Sequence, residues 1–227
     1  MFLRKWENLP PAMQNVQVRR YYDSLKNKNI NLLMKFAFDR VVAVLMLLCL
    51  SPIFLLLALL IKLDSPGEVF FRQERVTQYG KRFKIYKFRT MVKNAEGLGT
   101  QVTVNNDLRI TKIGQKLRGC RLDELPQLLN IIKGEMSFVG TRPEVPEYVA
   151  AYTDEMLATL LLPAGVTSAA SIEYKDEEQL LSNADNIDAI YIQVILPQKM
   201  RWNLQTLEKF SFLEEIKIMF KTVQAVL

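Results

Sequence analysis

Residues 41–61 read VVAVLMLLCLSPIFLLLALLI, and this apolar run decides what kind of protein the chain can be. As one helix it would extend about 31 Å, enough to cross a hydrocarbon core of about 30 Å. The one interruption is Ser51-Pro52. Proline lacks an N–H and its ring crowds the carbonyl four residues back, so Pro52 should kink the helix at its midpoint, with Ser51 satisfying part of the broken ladder. Each half would then be only about 15 Å long, and a strong bend would return the chain to the face it entered from. Length and proline together leave a kinked single span, a re-entrant hairpin and a buried core helix open. The flanking charges bear on that choice. Lys26, Lys28, Lys35 and Arg40 precede the run, while Lys62, Arg72, Arg75, Lys81 and Arg82 follow it, so both flanks have cytoplasmic character. The long polar stretch ahead of the run argues against a cleaved signal peptide.

With the anchor set aside, the 227 residues leave room for one globular domain of about 160 residues, a usual domain size. A balance of 30 basic to 24 acidic residues, net charge +6, suits an anionic membrane surface or a phosphate-bearing substrate. Nucleic acid is not supported as a partner, because there is neither zinc-ligand spacing nor a helix-turn-helix signature. The two cysteines, Cys49 and Cys120, form no disulfide framework and point to a reducing compartment. The chain has no histidine. That removes the commonest general base and metal ligand, and with them the Ser-His-Asp and Cys-His nucleophile systems. Any catalysis must run on carboxylates, lysines, arginines or a hard metal.

Working outward, Trp6, Tyr21 and Tyr22 in the polar N-terminal stretch read as interfacial anchors. Beyond the apolar run, VFFRQ and KRFKIYKFRT surround a turn at Tyr79-Gly80 and predict a hairpin. Residues 91–118 read as a loop with short helices; Gly97 and Gly99 are too sparse for a nucleotide fingerprint. Leu125, Leu128, Leu129 and Ile132 then recur at helical spacing, with Pro126 in the first turn and Gly134 as the cap. A helical stretch to Leu162, a break at Pro163-Ala164-Gly165 and amphipathic stretches over 176–195 and 199–223 complete the reading.

Asp123 and Glu124 stand at the start of that helix, where free N–H groups and the macrodipole favour negative charge. Such a pair commonly only caps a helix. Here Arg118 and Arg121 lie just upstream, Lys87 and Arg89 end the hairpin, and Arg142 follows in Thr141-Arg142-Pro143. Cations around two acids suit a pyrophosphate substrate, since arginine matches phosphate oxygens and the acids can hold Mg²⁺ or attack phosphorus.

Ser51-Pro52 in the apolar run, FKIYKFRTM (83–91), LRGCRLDELPQLLN (117–130) and GEMSFVGTRPE (134–144), in this order, resemble the bacterial sugar transferase family, the monotopic polyprenyl-phosphate phosphoglycosyl transferases. The resemblance covers roughly residues 31–223. It implies transfer of a phospho-sugar from a UDP-sugar to undecaprenyl phosphate with release of UMP, initiating a membrane-linked glycan. It makes Asp123 the nucleophile of an aspartyl-phosphosugar intermediate, Glu124 its assistant, and Asp123 and Glu124 the ligands of Mg²⁺, with Mn²⁺ as a substitute. Lys87, Arg89, Arg118, Arg142 and Pro143 become the substrate-binding set. It also favours the re-entrant anchor, broken at Ser51 and Pro52. The implied fold is mostly α with a small β-hairpin: an N-terminal extension (1–34), a re-entrant helix-break-helix anchor (35–63), and an α-rich catalytic domain with interfacial amphipathic helices (64–227). The implied location is the bacterial cytoplasmic membrane with the active site on the cytosolic face and membrane lipid as a partner; homo-oligomerisation is left open.

Two positions depart from the family pattern. Thr141 stands where Pro is usual, and Pro163-Ala164-Gly165-Val166-Thr167-Ser168 replaces a Pro-Gly-x-Thr-Gly block. Two other classes compete: a non-catalytic membrane adaptor with a basic lipid- or partner-binding surface, and a glycosyl transferase that leaves the phosphate on the nucleotide. The latter usually carries Asp-x-Asp, whereas Asp185 and Asp188 are three apart. The identity of the sugar is not written in any spacing.

Overall fold

The computed structural model describes residues 3–93, 95, 107–174 and 187–226. Gly97, Gly99, Asp185 and most of the first amphipathic stretch lie outside them. Helix α1 (Val16–Lys26) is followed by α2 (Asn29–Asp64). A hairpin of β1 (Phe70–Val76) and β2 (Arg82–Phe88) comes next, as the sequence predicts, with Phe70 opposite Phe88 and Val76 opposite Arg82. Then come α3 (Lys112–Gly119), α4 (Gln127–Ile132), β3 (Met136–Val139), α5 (Pro146–Val149), β4 (Ala164–Thr167) and α6 (Ala169–Glu173). The last helical run comprises α7 (Ile187–Ile190), a π-turn (Tyr191–Ile195), α8 (Leu196–Glu208) and α9 (Phe212–Val226).

Helix α2 corrects the expectation of two half-helices. It is one helical element of 36 residues with Pro52 inside it. Pro52 cannot donate to the Leu48 carbonyl, and the Ser51 hydroxyl donates to that same oxygen at 2.8 Å. The orphaned acceptor is thus satisfied locally, and the helix continues. One stripe of α2 packs on the rest of the protein along its whole length. Leu32, Lys35, Asp39, Ala43, Leu57 and Ile61 are buried, with Met46, Leu47, Leu50 and Phe54 half-buried between them. This is the i, i+3, i+4 spacing of a single helix face. The opposite face exposes Val41, Val44, Leu45, Leu48, Leu55, Leu56, Leu59 and Leu63.

The N-terminal stretch departs from its reading too. Tyr21 and Tyr22 are core residues rather than interfacial anchors, buried with Leu3, Leu9, Met13, Val18 and Leu25 against Leu160, Leu161 and Leu204. Lys35 is likewise no flanking surface charge, since its side chain is fully enclosed.

A second pair of strands was not predicted. β3 and β4 run parallel, Met136 beside Ala164 and Val139 beside Thr167. The Pro163-Ala164-Gly165 segment read as a break therefore enters a strand. Its glycine is required by close approach: a Cβ on Gly165 would come within 2.1 Å of the Gly140 nitrogen.

Candidate active site

The LDELPQLLN segment folds into a 3₁₀ turn at Leu122–Glu124 followed by α4. Arg121 enters it at φ 55°, a left-handed conformation that residues other than glycine adopt at some cost and that turns the chain sharply ahead of Asp123. Gly134, at φ 75°, ends α4 as the sequence predicts. Asn130, fully buried, docks α4 on the hairpin. Its Oδ1 accepts from the Tyr86 amide at 3.0 Å and its Nδ2 donates to the Lys84 carbonyl at 2.9 Å. This fixes β2 beside the acidic turn and brings Lys87 to Glu124.

Glu124 Oε1 accepts from Lys87 Nζ and from Arg142 Nη2, each at 2.8 Å. Burial would raise the Glu124 carboxyl, but Arg142 and Lys87 overturn this and hold it well below the carboxylate range. Burial lowers the Lys87 ammonium, opposed by Glu124. The Arg142 guanidinium is pushed up by Glu124. Asp123 is buried and its carboxylate has no hydrogen bond or ion pair among the described residues. Burial raises its pKa; Lys87, Arg118 and Arg142 pull it back, while Glu124 adds to the rise.

The predicted residues divide. Asp123, Glu124, Lys87 and Arg142 form one cluster, with Arg118 in electrostatic reach of Asp123 and tied through Nε to Thr90 Oγ1 at 2.9 Å. Pro143 is buried next to Arg142 and accepts from Arg75 through its carbonyl at 3.2 Å. Arg89 points elsewhere. Its guanidinium bonds the Ile61 and Ser65 carbonyls and the Ser65 hydroxyl, closing the C-terminal end of α2. Sequence reasoning passed over Gln127, whose amide nitrogen is buried without a partner. Its signal was a polar residue on the apolar face of α4.

No group of three or more acidic, cysteine or histidine side chains suited to a metal occurs among the described residues. The unpaired Asp123 carboxylate still fits a hard cation such as Mg²⁺, which takes one or two carboxylates and fills its shell with water and phosphate oxygens.

An unpaired carboxylate beside an acid paired with two cations, in a body with one long apolar helix, has the charge arrangement that suits an anionic substrate. A family model described as bacterial sugar transferase matches residues 30–227, and the chain belongs to that family. It is 33% identical over 207 residues to the UDP-N-acetylgalactosamine-undecaprenyl-phosphate N-acetylgalactosaminephosphotransferase of Aeromonas hydrophila, covering 90% of this chain and 46% of that one. It is 36% identical over 216 residues to the UDP-glucose:undecaprenyl-phosphate glucose-1-phosphate transferase of Escherichia coli (strain K12), covering 93% and 44%. With the exopolysaccharide production protein ExoY of Sinorhizobium fredii it shares 33% over 207 residues, 85% of this chain and 84% of that one. The chain thus spans less than half the length of the first two relatives and most of the third.

Proposed function

We propose that the chain transfers a sugar-1-phosphate from a UDP-sugar to undecaprenyl phosphate, releasing UMP and beginning a membrane-linked glycan. The observation that carries this reading is the unpaired, buried Asp123 carboxylate beside Glu124, whose own charge is neutralised by Lys87 and Arg142. An Asp123 oxygen attacks the phosphorus that bears the sugar, the bond to the bridging oxygen breaks, and UMP leaves with that electron pair. An oxygen of the lipid phosphate then attacks the same phosphorus and returns Asp123 as a carboxylate. Splitting one transfer into two displacements needs no histidine. Lys87, Arg118 and Arg142 stabilise charge on the phosphoryl oxygens, which is where such sites derive most of their rate. Mg²⁺, held by Asp123 with Glu124, would supply further neutralisation of the diphosphate when bound. The names of the two phosphotransferase relatives support the substrate pair.

The same reading places the active site on the cytosolic side of the bacterial membrane. At 1.5 Å per residue α2 measures about 54 Å if straight, yet its contacts with the protein run from Leu32 to Ile61. No stretch long enough to cross is free of the body, which supports an anchor that dips into one leaflet through its exposed face. The exposed Leu213, Phe220 and Val223 of α9 suit an interfacial amphipathic helix.

Two experiments test the proposal. Mass spectrometry after brief exposure to donor alone should find a phospho-sugar on Asp123, whereas direct transfer leaves none. Single cysteines near Lys26 and Arg72, in a background without Cys49 and Cys120, should label from the same side of a sealed vesicle; labelling from opposite sides would make α2 an ordinary span.

A further inference from the structure

Lys35 sits in α2 with no exposed surface, and all three of its donors are used. They go to the Val139 carbonyl at 2.8 Å, Ser137 Oγ at 2.5 Å and Glu215 Oε1 of α9 at 2.6 Å. Asp39, one turn along α2, accepts the Ser137 hydroxyl at 2.6 Å and lies 3.8 Å from Lys35. No bond joins this cluster to Asp123 or Glu124. A buried group of charges is a poor source of stability, because apolar residues of the same volume do as well or better. What apolar side chains could not do is donate a proton to a backbone carbonyl. That carbonyl belongs to the last residue of β3. Gly140 and Thr141 follow, tied to Thr167 and Gly165 by backbone bonds of 3.0 and 2.9 Å, and Arg142 comes next, donating to Glu124 at 2.8 Å.

The other end of α2 is attached in a comparable way. Asp64 Oδ2 accepts from the Ile113 amide at the start of α3, the helix that carries Arg118. Both arginines of the site therefore stand on segments fastened to the anchor helix.

We propose that Lys35, with Asp39, Ser137 and Glu215, is a positioning clamp: it fixes the end of β3 to the anchor so that Arg142 meets Glu124, coupling the seating of α2 to the geometry of the acidic pair. The proposal rests on the reaction assigned above only for its kinetic readout.

The test uses the full chain in lipid vesicles. Lys35→Met breaks the clamp, and because it leaves two buried carboxylates, the triple variant Lys35→Met, Asp39→Leu, Glu215→Leu provides a second protein with no charge left in this cluster. In both, amide hydrogen exchange over 139–143 should rise by roughly tenfold or more while α4 keeps its protection. UMP release should fall by about 30-fold in the wild-type background but by less than about 3-fold when Arg142→Ala is already present, since residues acting through one another are not additive. Unchanged exchange over 139–143 in the triple variant overturns the clamp. Losses that multiply with Arg142→Ala do so as well, because they describe general destabilisation. A wild-type chain that releases no UMP from any UDP-sugar counts against the reaction, and the exchange measurement then decides the clamp by itself.

Discussion

Glu124 and Lys35 are held in mirror-image clusters that differ in what they leave over. At the first, one anion sits between two cations, both bonded to the same oxygen, and the neighbouring Asp123 carboxylate stays unpaired. At the second, one cation sits among two anions and a hydroxyl, every donor is used, and the lysine has no exposed surface. The number of charges is the same. A saturated cluster can only hold backbone in place, whereas an incomplete one beside a free carboxylate can bind an anion and react with it.

The sharpest way to break this contrast is Asp123→Asn, which should abolish UMP release while the thermal midpoint holds or rises, because an amide cannot attack phosphorus and no longer buries a charge. Turnover near the wild-type rate would remove the distinction between the clusters. Chelation comes next. Excess EDTA should stop turnover and added Mg²⁺ or Mn²⁺ restore it, since two carboxylates suit a hard cation that keeps several waters. Full activity in chelator would contradict the metal assignment.

Removing one cation from Glu124 is a smaller perturbation. Lys87→Met or Arg142→Ala should each cost roughly 1.5–3 kcal/mol in transition-state binding, about 10- to 150-fold in kcat/KM, the range of a charge-assisted bond. Unchanged kinetics would return both to the status of surface charges.

The smallest effect is a pH slope at the Lys35 cluster. Burial pushes Glu215 up to about 7, against the pull of Lys35. Its folded-state pKa exceeds the unfolded value, so the native state holds the extra proton between about pH 4.5 and 7, and stability falls as pH rises through that window by at most about 1.4 kcal/mol per unit. Glu215→Gln should flatten that part of the stability profile measured by urea unfolding. A variant with the same slope as wild type would assign the titration elsewhere.

Much of the site was legible from residue order. The hairpin followed from two β-rich runs around a turn, and α4 from its leucine spacing, Pro126 and Gly134. Glu124, Lys87 and Arg142 were named before they could be seen to touch, and Asp123 before it could be seen beside them. What was hidden depended on tertiary partners. Lys35 and Arg89 look like any other basic residue beside an apolar run, and only their acceptors, a strand carbonyl 104 residues away and the end of α2, show that they are structural. Tyr21 and Tyr22 are amphipathic enough to suit an interface or a core. β3 and β4 are four residues each, too short for alternation to register, and one begins just after a proline. The residues alone left a helix continuing across Pro52 open and named Ser51 as the group that could serve the abandoned acceptor; the break was what the resemblance implied, and the structure has one helical element there.

The Lys35 cluster also has a history in time. Its acceptors lie 102, 104 and 180 residues further along the chain. At about 5–20 residues per second of synthesis, the interval between making Lys35 and making Glu215 is roughly 10–40 s. For the first part of it the lysine stands on an apolar helix with only Asp39 one turn away; Ser137 and Val139 follow, and Glu215 comes last. The newborn anchor must therefore settle before its charge is covered, and the interior closes around it only when a late segment arrives.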